Sequence, residues 1–388
     1  MVQPEVPPSA GAAMDAERVY VPLQGRGVRA FSRATGQVVW AETADTRWPP
    51  IVSEGRLFIV LPDGIRAMEA STGFTLWNRS LEQPASAPPI AHRSTLLIPT
   101  DGGGIVALNV ADGTVAWRAP IGSNTRHAVA ALDSLIAVAA ANGRVVALDA
   151  QTGSMRWERS LPGDLSAPAT ARDRVFVGST NNFFYALDAD NGKEAWRWRT
   201  GGDVVGAAAF EDRVYFVSLD NILRAVNRDN GNQQWKAEAP TRASAPPIVV
   251  GDVVVVPGVA PRIDAFVGKT GEALGSYTAP TDLEGVPAID PNLEPFQVAI
   301  VSLTRDGQIT ALRPTRMMLP DPPLAPLLTV PGRELPPERL PVRPRVQPPL
   351  THSYIGIRMR HASRRDDLGR VQRRCRTAAA RNPRLPGS

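Results

Sequence analysis

An all-β, eight-bladed β-propeller of four-stranded antiparallel blades, followed by a disordered C-terminal tail, is the fold this sequence predicts. Three observations predict it. The first is a motif, Ala-Leu-Asp-x-x-Thr-Gly-x-x-x-Trp, that recurs seven times with tolerance; its clearest copies run from Ala147 to Trp157 and from Ala186 to Trp196. The second is the spacing of its turn glycines, Gly36, Gly73, Gly113, Gly153, Gly192, Gly231 and Gly271, in steps of 37 to 40 residues. A fixed period of that size marks a propeller or solenoid. The third is tryptophan usage: of eight tryptophans, Trp40, Trp77, Trp117, Trp157, Trp196 and Trp235 each stand four residues after a turn glycine. One large ring per repeat at one height fills the wedge between neighbouring sheets.

Each repeat reads as four short strands. In residues 167–199, Ala167-Pro168-Ala169-Thr170 is a small-residue first strand and Arg174-Val175-Phe176-Val177-Gly178 a β-branched and aromatic second. Asn181-Asn182 turns the chain into a third strand, Phe184–Leu187, and Asp190-Asn191-Gly192 turns it into a fourth carrying Trp196. Glycine at these turns supplies the positive φ that a tight hairpin needs, while a preceding Asp, Asn or Thr bonds the local backbone. Counting first strands gives eight blades, starting near Pro8-Ser9-Ala10, Pro49-Pro50, Pro88-Pro89, His127-Ala128, Ala167-Pro168, Gly206-Ala207, Pro246-Pro247 and Val286-Pro287. Blade seven has Gly275 where tryptophan belongs. Blade eight continues through Ile300-Val301 and Ile309–Leu312 but has neither the Thr-Gly turn nor the tryptophan. A closed ring hides both sheet edges, so blade eight needs a fourth strand, for which Arg316–Leu319 and the extreme N-terminus are the two candidates.

Composition divides the chain. The repeat occupies 1–313, extending to about 320 if Arg316–Leu319 belongs to the ring. Residues 314–350 contain 12 prolines and read as an extended linker. Residues 351–388 are an Arg-rich disordered tail. The sequence pI near 9.8 belongs to that end. Residues 314–388 hold 15 Arg and 5 acidic residues, leaving 28 basic and 33 acidic side chains in 1–313. Such an arm suits nucleic acid or anionic lipid on charge alone, yet no aromatic interleaving supports base stacking, and no nucleic-acid partner is expected. No segment is apolar enough to span a membrane, and the residues after Met1 lack the basic and apolar regions of a signal peptide. The single cysteine, Cys375, lies in the tail, so no disulfide forms within the chain and no Cys-based metal site is possible.

The Ala-x-Asp-x-x-Thr-Gly-x-x-x-Trp repeat resembles the tryptophan-docking motif of the pyrroloquinoline-quinone-like propeller superfamily, over about 1–313. The resemblance implies one of two roles. Quinoprotein dehydrogenases of that superfamily place an adjacent cysteine pair over the quinone beside a calcium-like ion and an Asp base; this chain has no such pair, which argues against pyrroloquinoline quinone as a cofactor. The other branch comprises non-enzymatic scaffolds such as the lipoprotein of the outer-membrane β-barrel assembly machinery, whose length and blade number this chain shares. Leu161-Pro162-Gly163-Asp164-Leu165 is similar to that branch's Leu-Arg-Gly-Glu loop, which docks the barrel protein's periplasmic domains. Leu161, Gly163 and Asp164 match in kind, with Pro162 in place of Arg. The next loop, Gly201-Gly202-Asp203, keeps one acid, Asp203, of an Asp-x-Asp pair. The resemblance therefore implies an envelope scaffold with a protein partner at these loops, in the periplasm or at the outer membrane. The alternatives are a quinone-dependent dehydrogenase or degenerate relative, and a ligand-sensing propeller.

Other candidate sites yield to the repeat. Asp188-Ala189-Asp190-Asn191-Gly192 invites a calcium loop, but counting back from its glycine puts Leu187 and Ala189 at ligand positions. Asp101-Gly102-Gly103-Gly104 lacks the following helix and Lys-Ser/Thr pair of a phosphate loop and sits at the second turn of its blade. His127 opens the first strand of blade four and reads as a polar channel residue. No catalytic, cofactor-binding or metal-ligating residue is assigned.

Overall fold

The computed structural model describes residues 6–259, 261–289 and 300–312, and it is built from strands throughout. Eight antiparallel sheets follow one another along the chain, seven of four strands and one of three. Blade five shows the plan: Ala169–Ala171 innermost, then Arg174–Ser179, Phe183–Asp188 and Glu194–Arg199 outermost. The second and third strands of each blade are the buried ones, and their alternate faces pack against the two neighbouring blades. Thus Val175, Val177 and Tyr185 pack with Trp157 and Ala147 of blade four, whereas Phe176 and Phe184 pack with Phe216 and Val214 of blade six. Strand alternation is what lets one sheet serve two interfaces.

The repeated residues have a shared geometry. The turn-glycine N–H donates to the carbonyl four residues earlier in all seven copies, from Gly36 to Ser32 through Gly271 to Val267. The motif alanine stands opposite the tryptophan in the ladder, as Ala147 does to Trp157, and a register shift follows it in each of the first seven blades. Each tryptophan then reaches across to the next blade. The indole N–H of Trp40, Trp77, Trp117, Trp157, Trp196 and Trp235 donates to the carbonyl of Ala70, Val110, Ala150, Ala189, Arg228 and Gly268 at 2.7–3.1 Å. Every acceptor lies three residues before the next turn glycine, and the ring covers that glycine. A Cβ on Gly73, Gly113, Gly153, Gly192, Gly231 or Gly271 would stand 2.4–2.8 Å from the ring. Turn chemistry alone explains their positive φ; the neighbouring ring adds a second reason that no larger residue fits.

Three details differ from the expectations or refine them. The Pro-Pro and Ala-Pro signatures precede the innermost strands instead of forming them: strands begin at Ile51, Ile90, Ala169 and Ile248. Proline has no N–H to give to a ladder, so pairing ahead of the strand is reduced to an isolated bridge such as Ala85 with Thr100. In blade one the strand is Ala13–Met14 for the same reason of position. In blade seven, Gly275 leaves the tryptophan site open and Tyr277 takes over the contact to blade eight, its hydroxyl donating to Thr310 Oγ1 at 3.2 Å.

Blade eight shows Ala288–Ile289, Ile300–Leu303 and Ile309–Leu312. Val6 packs against the cluster joining blades eight and one. Both proposed sources of a fourth strand, Arg316–Leu319 and the first five residues, lie outside the described residues, as do the linker and the Arg-rich tail. Carrying the repeat register past Leu312 puts Met317 at the glycine position and Asp321 at the tryptophan position, so that stretch does not repeat the fourth-strand pattern.

Candidate functional site

The candidate loops lie on one face of the ring, where the chain leaves the outermost strand of one blade for the innermost strand of the next. One backbone bond organises them all. The carbonyls of Pro84, Asn124, Asp164, Asp203, Arg242 and Asp282 accept from Asp101, Ala141, Thr180, Leu219, Val259 and Arg305, at 2.7–3.0 Å. Each loop is thereby pinned to the central hairpin of the blade it enters. The backbone repeats and only the side chain at that position changes. Asp164 and Asp203 are adjacent around the ring, and neither carboxylate meets a hydrogen-bond or ion-pair partner among the described residues. The acid at the same position two blades on, Asp282, faces Arg305 at 3.7 Å.

The four candidate residues divide by burial. Leu161 is buried, in the cluster between blades four and five, and its N–H donates to Gly143 O at 2.8 Å. It anchors the loop from beneath instead of presenting a contact surface. Gly163 is exposed at φ +83°, and a Cβ there would meet Ser179 Oγ and Thr180 Oγ1 at 2.7 and 2.9 Å. Asp164 is exposed and Asp203 half-buried. The exposed crest of the first loop is therefore Pro162, Gly163 and Asp164. Ser179 and Thr180, which the sequence did not single out, clamp it: Ser179 Oγ donates to Pro162 O at 2.6 Å and Thr180 Oγ1 accepts from Asp164 N–H at 3.0 Å.

The second loop is clamped by charge. Asp220 accepts from Gly201 N–H at 3.0 Å, Ser218 Oγ at 2.6 Å and Arg224 Nη2 at 2.7 Å. Burial pushes this carboxyl up, but the Arg224 and Ser218 bonds outweigh it and bring its pKa to about 2. An unfolded aspartate titrates near about 3.9. The stabilisation is thus present above that value and lost as pH falls through about 2. Asp220→Asn is expected to lower the urea midpoint at pH 6, with the gap to wild type closing between pH 4 and pH 2. A gap independent of pH would show that the carboxylate charge is not what holds this loop.

The remaining candidates fall into the repeat. His127 lies three residues ahead of the inner strand Ala130–Leu132 instead of opening it, and is half-buried. Burial holds its pKa below the ordinary histidine value, with the Leu165 backbone opposing. Asp188 Oδ1 accepts from Asp190 and Asn191 N–H, capping its own turn. Asp101-Gly102-Gly103 is the second turn of blade three, with Gly102 and Gly103 both at positive φ.

Apolar residues meet at the innermost strands of blades one, two, three and eight. A cavity of about 310 Å³ there is lined only by Ala, Val, Ile, Met and Pro, including Met14, Ile51, Ile90 and Ile289. Pyrroloquinoline quinone is a polycarboxylate that needs cationic or amide donors around it. These residues supply no such side chain, and Cys375 is the sole cysteine of the sequence. No helix among the described residues is long and apolar enough to cross a membrane.

Comparison with known proteins agrees with this geometry. The family model for the outer membrane protein assembly factor BamB matches residues 24–167 and 141–312. Among solved structures, BamB from Moraxella catarrhalis is 17% identical, with 80% of this chain and 97% of that one covered at a TM-score of 0.62. The computationally designed Ika8 protein is 15% identical, covering 80% and 98% at a TM-score of 0.69. The quinohemoprotein alcohol dehydrogenase of Comamonas testosteroni is 14% identical, covering 79% and 72% at a TM-score of 0.59. At such identities these structures share the fold. No curated protein sequence matches the chain significantly.

Proposed function

This chain belongs to the family of the outer membrane protein assembly factor BamB, and from that premise we propose that it is a non-enzymatic scaffold for outer-membrane protein assembly in the bacterial envelope. The observation that carries the reading is the pair of neighbouring loops whose carboxylates, Asp164 and Asp203, meet no partner among the described residues while their backbones are held rigid by Ser179, Thr180 and Asp220. A preordered loop binds without a further ordering cost. Unpaired charge on such a loop speeds and orients encounter with a cationic partner surface. The apolar cavity at the innermost strands of four blades and the missing cysteine pair favour this reading over a quinone-dependent dehydrogenase.

The partner implied by the resemblance is the periplasmic part of the β-barrel assembly protein. Reversing both charges, Asp164→Arg with Asp203→Arg, is expected to weaken binding of those periplasmic domains by on the order of tenfold or more. Asp45→Arg, at an exposed site on the loop between blades one and two, is the control and is expected to leave affinity unchanged. Calorimetric titration with the partner domains from the same organism reads both. Unaltered affinity of the double variant, or no saturable binding by the wild type at micromolar concentration, would rule the reading out.

A further inference from the structure

We propose that Phe183 and Arg197 form the central contact of this docking surface, between the loops of Asp164 and Asp203; the proposal rests on the reading of those loops as a partner site. Phe183 is the first residue of the third strand of blade five, directly after the turn Asn181-Asn182. Its ring packs against the buried cluster that includes Leu161 and Leu165, the two ends of the first loop, and lies 6.0 Å from Tyr185. The carbonyl of the preceding residue, Asn182, accepts from Thr200 N–H at 2.9 Å, at the root of the second loop. One aromatic side chain thus stands where both loops are rooted.

Arg197 completes it. The guanidinium carbon lies 5.3 Å from the centre of the Phe183 ring, and the side chain is 56% exposed. It also faces Glu194, with Nε 3.6 Å from Oε1. Stacking on an aromatic face orders an arginine without consuming its outer N–H groups. The ring is itself held in place, because Asn181 Oδ1 accepts from Phe183 N–H at 3.0 Å and Asn181 Nδ2 donates to Tyr185 Oη at 2.6 Å.

The other blades are built without such a pair. The first residue of the third strand is Gly27, Gly64, Gly104, Arg144, Ile222 and Arg262 in blades one, two, three, four, six and seven. Among them only blade five places an aromatic ring there, half-buried and capped by an exposed guanidinium. Large aromatic residues and arginine are enriched at the energetic centres of protein interfaces, and stacking on a ring pre-orders the otherwise flexible arginine. With Asp164 and Asp203 on the two loops rooted next to Phe183, the surface fits a folded protein that presents an apolar side chain and a carboxylate to Phe183 and Arg197, with basic groups beside them.

The test uses the full chain and the periplasmic domains of the β-barrel assembly protein from the same organism, titrated calorimetrically, with urea midpoints measured in parallel. Arg197→Ala and Phe183→Leu are expected to weaken binding by on the order of tenfold each, with urea midpoints close to wild type. Leucine keeps apolar bulk against the Leu161 cluster, so the ring is tested without emptying the core. Arg197→Lys is expected to recover only part of the affinity, since an ammonium keeps the charge and loses the planar stack. Affinities of Arg197→Ala and Phe183→Leu within about twofold of wild type, alongside a weakened Asp164→Arg, Asp203→Arg variant, would overturn this proposal and leave the loop site standing. No binding by the wild type would overturn both.

Discussion

Trp157→Ala is expected to destabilise the ring by about 3–5 kcal/mol, the usual loss for emptying a large buried aromatic site. Trp157 is 8% exposed, donates to Ala189 O at 2.7 Å and covers Gly192, so its removal opens the seam between blades four and five. The vacated carbonyl is a further loss, because a buried acceptor left without its donor is costly. Trp48 provides the comparison. It stands outside the repeat register, is half-buried on the loop entering blade two, and packs against the cluster of blades two and three. Trp48→Ala is expected to cost roughly half as much or less. Urea melts of the two variants measure this, and equal losses would contradict the account of tryptophan as the repeated inter-blade dock.

Gly143→Ala is expected to cost about 2–5 kcal/mol, combining a left-handed backbone with overpacking. A Cβ there would stand 2.0 Å from Leu161 O and 2.9 Å from Gly163 O, at φ +72°. Both obstacles are backbone, so no side-chain rotation relieves them. Gly122 offers an internal control with nearly the same φ, +75°, and nothing within 4 Å of the added carbon. Gly122→Ala should therefore lose only the conformational part, about 1–2 kcal/mol. Because the crowded atoms belong to the Leu161–Asp164 loop, Gly143→Ala is also expected to weaken partner binding, whereas Gly122→Ala leaves it intact. Similar losses from the two substitutions would mean that steric crowding at the loop root is relieved by movement of the loop itself.

Much of the fold was legible in the residues because a propeller writes its plan once per blade. Gly153 and Asp149 act within a few positions of each other, Asp149 Oδ1 accepting from Gln151 and Thr152 N–H, so their turn could be read from the text. Blade seven was legible as an anomaly at Gly275, although the substitute, Tyr277, was not. The site was legible only in outline. Asp164 and Asp203 stood out by resemblance, and Leu161 stood out with them although it faces the core. Ser179, Thr180 and Asp220 gave no signal, because a hydroxyl or carboxylate in a hairpin turn has an ordinary local use. Phe183 and Arg197 could have been found by setting the third strands of the first seven blades side by side and asking which first residue breaks the pattern.

The sequence by itself determined the period, the strand and turn chemistry of each blade, and the absence of a cysteine pair, since these depend on residue types and on neighbours a few positions apart. Only the tertiary structure decided that each tryptophan docks on the glycine of the following blade, some 35 residues away in the case of Trp157 and Gly192. It also decided that Leu161 turns inward while Asp164 turns out. The same is true of the meeting of Phe183 and Arg197. The physical reason is that side-chain alternation assigns each residue to one of two interfaces, and a ring of blades chooses which neighbour fills them.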